Sequence, residues 1–313
     1  MPERIHVAAC CDENYVAYAT VMMLSALAAT RHHTVHFHLI NCGISADSVA
    51  RMRTTINSQA GELSVYEPDT TLFSGLPTHR YGSAVYQRIH LPDYLPTHIH
   101  RLIYIDSDTL VQGNLADLWT LDLEGYPVAA VENLSPTACR DINLPRHEYF
   151  NSGVLVMDLD AWRREGIHHQ VTEYARHHAA RLEFVDQCSL NAVLHKRWLR
   201  LPVNWNQQSD IFKVILKYSD GCSYSIQELE SGMWSPAIVH FTGKKKPWKI
   251  YCFHPFKFRY REVLAQTPWA DMPAPDDDLK TRLKFLMAFR QNWKCWRRRR
   301  HIRPTDTAQK DVQ

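Results

Sequence analysis

From residue 4 to about residue 160, apolar runs of strand length alternate with segments of helical character, and this alternation restricts the fold more than any other feature of the chain. The strand candidates are RIHVAAC (4–10), TVHFHLIN (34–41), ELSVYEP (62–68), RLIYIDSD (101–108) and PVAAVE (127–132). VAYATVMMLSALAAT (16–30) carries no charge, is interrupted by Tyr18, Thr20 and Ser25, and is shorter than the roughly 20 apolar residues of a membrane span; it reads as a buried helix. SADSVARMRTTINSQ (45–59) reads as a surface helix opened by Ser45 as its N-cap. Strands joined through helices imply an α/β fold with a mostly parallel sheet covered on both faces, and such sheets bind ligands at the carboxyl ends of their strands.

Beyond residue 148, YFNSGVLVMDLDAWRREG predicts a strand and then a helix from about Asp160, and DQCSLNAVLHK predicts another helix. Short strands are expected in WLRLPVNWN and AIVHFTG. At PAPDDD (273–278) the composition changes to a basic, aromatic segment, LKTRLKFLMAFRQNWKCWRRRRHIRP. This divides the chain into a main domain, residues 1–270, and a C-terminal extension, residues 271–313. The net charge of +3 is too small to indicate a nucleic-acid binder. The eight cysteines form no CxxC pair and read as reduced thiols of a cytosolic protein, and the N-terminus lacks the pattern of a signal peptide.

Two features carry chemistry. Asp106 and Asp108 close an apolar run, and in an extended chain their side chains share one face, so both can reach one hard cation such as Mg²⁺ or Mn²⁺. A pair of this kind also caps turns where strands end. In VHFTGKKKPW, His240 ends a strand, Gly243 suits a tight turn, and Lys246 can neutralise a phosphate.

In order and spacing, ACCDENY, YIDSDTLV, YFNSGVLVMDL, DQCSLN and HFTGKKKPW make residues 4 to about 265 resemble glycosyltransferase family 8, in particular the bacterial lipopolysaccharide galactosyl- and glucosyltransferases. The resemblance implies a Rossmann-like GT-A fold, a UDP-hexose donor, Mn²⁺ with Mg²⁺ as the alternative, and retention of anomeric configuration. It implies Asp106, Asp108 and His240 as metal ligands. Asp12, Asn14 and Tyr15 would hold uracil and ribose, and Gly243 and Lys246 the diphosphate. Ser107 joins the nucleotide-sugar site, while Arg88, Asn151, Gly153, Asp186 and Gln187 would surround the donor sugar, Gln187 and Asp186 being the two candidates beneath the anomeric carbon.

The chain departs from the family pattern at Cys188, where many relatives have a second acid, and at Glu132, where some have Asp. A metal-dependent phosphate-ester hydrolase would use the same three ligands, and a catalytically idle binding protein is the other alternative. The acceptor implied is an oligosaccharide or lipid-linked saccharide, with no nucleic-acid partner. In the extension Leu283, Leu286, Met287, Phe289, Trp293 and Trp296 recur at nearly helical spacing among many bases, which suits attachment to an anionic membrane surface. The expected location is cytoplasmic, on the inner face of a bacterial inner membrane.

Overall fold

The computed structural model describes residues 4–76, 78, 82, 84–135, 139–215, 222–299 and 302. Its strands are β1 (Ile5–Cys11), β2 (Val35–Asn41), β3 (Glu62–Tyr66), β4 (Arg101–Ile105), β5 (Thr109–Val111), β6 (Val128–Glu132), β7 (Phe150–Asp158), β8 (Leu199–Arg200), β9 (Gln207–Gln208) and β10 (Ile238–His240). Among the described residues, seven form one sheet in the order β3-β2-β1-β4-β7-β6-β8, and β5-β10-β9 form a second.

The sheet is mixed. β3, β2, β1 and β4 run parallel, β7 is antiparallel to both β4 and β6, and β8 returns parallel to β6. The reversal has a consequence for function: the amino end of β7 lies beside the carboxyl ends of β4 and β6, where the parallel strands deliver their loops. Alternation along β1 sends Ile5, Val7, Ala9 and Cys11 into the core on one face, and Ala8 and Cys10 into the core on the other. The adjacent cysteines therefore pack on opposite faces of one strand.

The uncharged run forms α1 (Val16–Ala29), with an unbroken buried stretch from Val16 to Ala26. Its hydroxyls serve neighbouring backbone: Ser25 Oγ accepts from the Val111 N–H at 3.0 Å, and Thr30, just past its end, accepts from Leu115 N–H at 3.2 Å. In α2 (Ala46–Ser58), Ser45 caps the helix as expected, its hydroxyl accepting from Ser48 N–H. The strand expected in WLRLPVNWN is reduced to the two residues of β8, followed by a 3₁₀ turn at Val203–Asn206.

In the extension, helices Leu279–Met287 and Phe289–Arg299 form. The Phe285 ring stacks on Phe253 at 5.4 Å, and Asp276 accepts from the backbone N–H groups of Ile250 and Tyr251 at 2.7 and 3.1 Å. Leu279, Leu283, Leu286 and Met287 remain exposed. Trp296, the last apolar residue of the expected stripe, and Phe289 lie outside the described side chains. No described helix is long and apolar enough to cross a membrane.

Candidate active site

Seven segments meet at the carboxyl edge of the main sheet: the end of β1, the 3₁₀ turn Arg88–His90, the turn after β4, the start of β7, helix Val185–Val193, the 3₁₀ turn Val203–Asn206 and the end of β10. The two aspartates do not converge through strand alternation. β4 ends at Ile105, and Asp106 to Asp108 form a turn that leads into β5. The turn is anchored by Asp106 N–H donating to Gly153 C=O at 2.8 Å, and β10 pairs with β5 to bring His240 opposite Thr109.

Each carboxylate has one oxygen occupied and one directed at His240. Asp106 Oδ1 accepts from Tyr104 Oη at 2.8 Å and pairs with Arg88 Nη2 at 3.0 Å, while its Oδ2 lies 3.7 Å from His240 Nε2. Asp108 Oδ2 pairs with Lys246 Nζ, and its Oδ1 lies 3.2 Å from the same Nε2. His240 Nδ1 sits 2.9 Å from Asn206 Oδ1. Because an amide oxygen only accepts, Nδ1 donates to Asn206, which leaves Nε2 as the ring atom that faces the two carboxylates. The ligand atoms of all three residues lie within 4.8 Å of one another. Two carboxylate oxygens and one imidazole nitrogen form a donor set that fits a divalent cation such as Mn²⁺ or Mg²⁺.

Gly153 makes this approach feasible. A Cβ there would stand 2.3 Å from His240 Cε1 and 2.7 Å from Asp106 Oδ2. Beside it lies a polar floor of buried side chains. Arg88 joins the two halves, with Nε 3.1 Å from Asp186 Oδ2 and Nη1 donating to Ser152 C=O at 2.8 Å. Gln187 Oε1 accepts from Asn151 Nδ2 and from Ser152 N–H, both at 3.1 Å. Asn151 Oδ1 in turn accepts from Asn206 Nδ2 at 2.8 Å, so the floor and His240 share one hydrogen-bond network.

The electrostatics follow from this wiring. Burial pushes the Asp186 carboxyl up to about 6, with Arg88 opposing and Asp106 reinforcing. Burial would also raise Asp108, but Lys246 and His240 outweigh it and hold the carboxylate well below its ordinary range. Burial disfavours the Arg88 charge, yet Asp106 and Asp186 keep the guanidinium firmly protonated.

The structure brings together Arg88, Asp106, Asp108, Asn151, Gly153, Asp186, Gln187, His240 and Lys246, with Ser107 buried in the same turn. Gly243 occupies a left-handed turn with φ +80°. Asp12, Asn14 and Tyr15 follow the end of β1, in the loop that enters α1. Asp12 Oδ2 accepts from Asn14 at 3.3 Å, Asp12 Oδ1 is buried without a hydrogen-bond partner, and the Tyr15 ring is 39% exposed. Burial and then the Asp108, Asp12 and Asp106 carboxylates push the Tyr15 phenol up to about 12, so the two groups sense each other. Two residues were missed in the sequence, Asn206 and Tyr104. The run Asn206, Gln207, Gln208, three buried amides in succession, was the available signal for the first.

At the position of the missing second acid, Cys188 is buried beside Tyr149 Oη at 3.2 Å. Glu132, the other departure, is fully buried, and its carboxylate accepts from Ser223 N–H at 3.2 Å.

A family model described as Glycosyl transferase family 8 matches residues 6–252. General stress protein A of Bacillus subtilis is 30% identical over 280 residues, covering 87% of this chain and 97% of its own length. Lipopolysaccharide 1,2-glucosyltransferase of Escherichia coli is 25% identical over 296 residues, 91% of this chain and 86% of its own. Among solved structures, galactosyltransferase LgtC in complex with donor and acceptor sugar analogs superposes with a TM-score of 0.76 at 24% identity, covering 84% of this chain and 96% of that one.

Proposed function

Because the chain belongs to glycosyltransferase family 8 and has the GT-A fold, we propose that it is a retaining hexosyltransferase, moving galactose or glucose from a UDP-sugar to a lipopolysaccharide or lipooligosaccharide core. The observation that carries this reading is the convergence of the free oxygens of Asp106 and Asp108 on His240 Nε2, next to a buried floor of amides and carboxylate. Asp106, Asp108 and His240 would hold Mn²⁺ or Mg²⁺, which when bound supplies Lewis-acid stabilisation of charge on a diphosphate leaving group.

The chain's own residues do the rest. Lys246 adds a positive charge beside Asp108, and the turn at Gly243 allows backbone to approach phosphate oxygens closely. Asp12, with an unmet buried acceptor oxygen, suits a uracil or ribose donor together with Asn14 and Ser107, and the exposed Tyr15 ring offers a face for the base. Asn151, Asp186 and Gln187, fixed by Arg88 and by each other, suit the hydroxyls of a hexose, with Gly153 leaving them room.

Four contacts bear on retention. Asp186 is committed to Arg88 and to Ser152 Oγ, and Gln187 Oε1 already accepts two hydrogen bonds. This favours front-face attack assisted by the departing phosphate over a covalent glycosyl-enzyme.

The relative from Escherichia coli supports a lipopolysaccharide acceptor. Exposed apolar side chains among the bases of the 271–313 extension support a seat on the inner face of the bacterial inner membrane. A panel of UDP-sugars incubated with Mn²⁺ tests the donor. One hexose donor should be hydrolysed to UDP and free sugar, and EDTA should abolish this. Release of inorganic phosphate with no UDP would point instead to the hydrolase alternative and overturn the reading.

A further inference from the structure

At the opposite end of the sheet from the active site, β1 and β2 begin with a second cluster of ligating side chains. His6 stands directly abreast of His36, and His38 lies abreast of Ala8, so period-two alternation puts all three imidazoles on one face. Their ring nitrogens lie within 4.8 Å of one another. His6 is six residues from Asp12, which at the rise of an extended strand separates the cluster from the candidate active site by roughly 20 Å.

We propose that His6, His36 and His38 form a second metal site, one for a borderline transition cation of the Zn²⁺ class, which clamps the start of β1 to β2. Three imidazoles without a carboxylate in the ligand set select Zn²⁺, Ni²⁺ or Cu²⁺ over the Mg²⁺ and Mn²⁺ that suit the Asp106 and Asp108 oxygens. His6 Nδ1 and His38 Nε2 already lie 2.8 Å apart. Zinc–nitrogen bonds of 2.0–2.1 Å at tetrahedral angles need about 3.3 Å, so the rings close on an ion by a shift of about half an ångström.

The surroundings resemble those that orient metal-bound histidines. His38 Nδ1 is 2.9 Å from Tyr66 Oη and His36 Nε2 is 2.8 Å from Ser64 Oγ, which leaves His36 Nδ1, 3.7 Å from the Glu62 carboxylate, as the ring's ligating nitrogen. His38 is fully buried while His6 and His36 are partly exposed, which gives an ion a way in. Burial, followed by the neighbouring imidazoles, also keeps the rings neutral and therefore able to ligate, with His38 pushed down to about 2 and His6 to about 4.

The proposal is independent of the transferase reading, and its test reads metal binding alone. Full-length protein stripped with EDTA is titrated with Zn²⁺ in competition with a chromophoric chelator. Wild-type protein should bind an ion at the histidine cluster, whether or not Asp106, Asp108 and His240 take another. His6→Gln and His36→Gln, checked for folding by a metal-free melt, should bind that ion at least about tenfold more weakly and leave any other ion unchanged. Histidine side-chain ¹⁵N spectra of the wild-type protein need no variant: the signals of His6, His36 and His38 should all move on adding Zn²⁺. Static signals from these three rings, or wild-type binding of every ion in both variants, would overturn the site and leave the cluster as a hydrogen-bonded ladder only.

Discussion

Gly153 lacks a side chain at the point where His240 and Asp106 approach β7 most closely, and one methyl group there would displace both. A Cβ at 2.3 Å from an imidazole carbon and 2.7 Å from a carboxylate oxygen cannot be absorbed by a rotamer change, because His240 is tied to Asn206 and Asp106 to Arg88 and Tyr104. Gly153→Ala is therefore expected to cost about 1–3 kcal/mol of stability. It should also lower metal-dependent donor turnover by about 100-fold, since a displacement near 1 Å in a reacting constellation has that effect. Thermal melts and steady-state assays of the variant check both numbers. Wild-type turnover would show that the three residues do not act together. Asn206 acts one step further out, since its carbonyl fixes the His240 tautomer and its amide holds Asn151.

Among the elements, the C-terminal helices have divided loyalties. Phe285 stacks on Phe253, Lys257 lies 5.3 Å from the Phe285 ring centre, and Arg298 sits over Phe212, so one side of the extension is docked on the main domain. The other side exposes Leu279, Leu283, Leu286, Met287 and Trp293 among basic residues. A chain ending at Asp276 keeps the carboxylate that receives the Ile250 and Tyr251 N–H groups, and so should keep donor hydrolysis. It should lose salt-sensitive binding to anionic liposomes, to which each base near the surface contributes about 1 kcal/mol. Sedimentation of the two proteins with such liposomes makes the comparison, and equal sedimentation would remove the membrane role. Element identity was readable at α1 and α2 because charge pattern and the Ser45 cap are local signals. The direction of β7 was not. A strand buried on both faces reads as the same apolar run whether it lies parallel or antiparallel to its neighbours.

For the molecule as a whole, the sequence names Asp106, Asp108 and His240, which the structure brings within reach of one another, but misjudges how they meet. Asp106 and Asp108 were found from their spacing, yet a turn and not an extended strand brings them together. Arg88 enters the site only through the family resemblance, because its partners Asp106 and Asp186 come from a turn and a helix distant in sequence. Asn206 went unnoticed because its role depends on His240, 34 residues away. Each of these depends on the closure of the sheet and the second, three-stranded sheet around one edge, which local patterns do not report. The central claim is that this edge performs metal-dependent sugar transfer, with Asp108 as a ligand. It is tested by measuring UDP-sugar turnover in wild-type and Asp108→Ala protein side by side, in EDTA and then in Mn²⁺. Wild-type turnover should vanish in EDTA and return with Mn²⁺, while Asp108→Ala, folded by its melting profile, should stay inactive in both. Turnover by Asp108→Ala in EDTA at the rate of the Mn²⁺-loaded wild type would contradict the account.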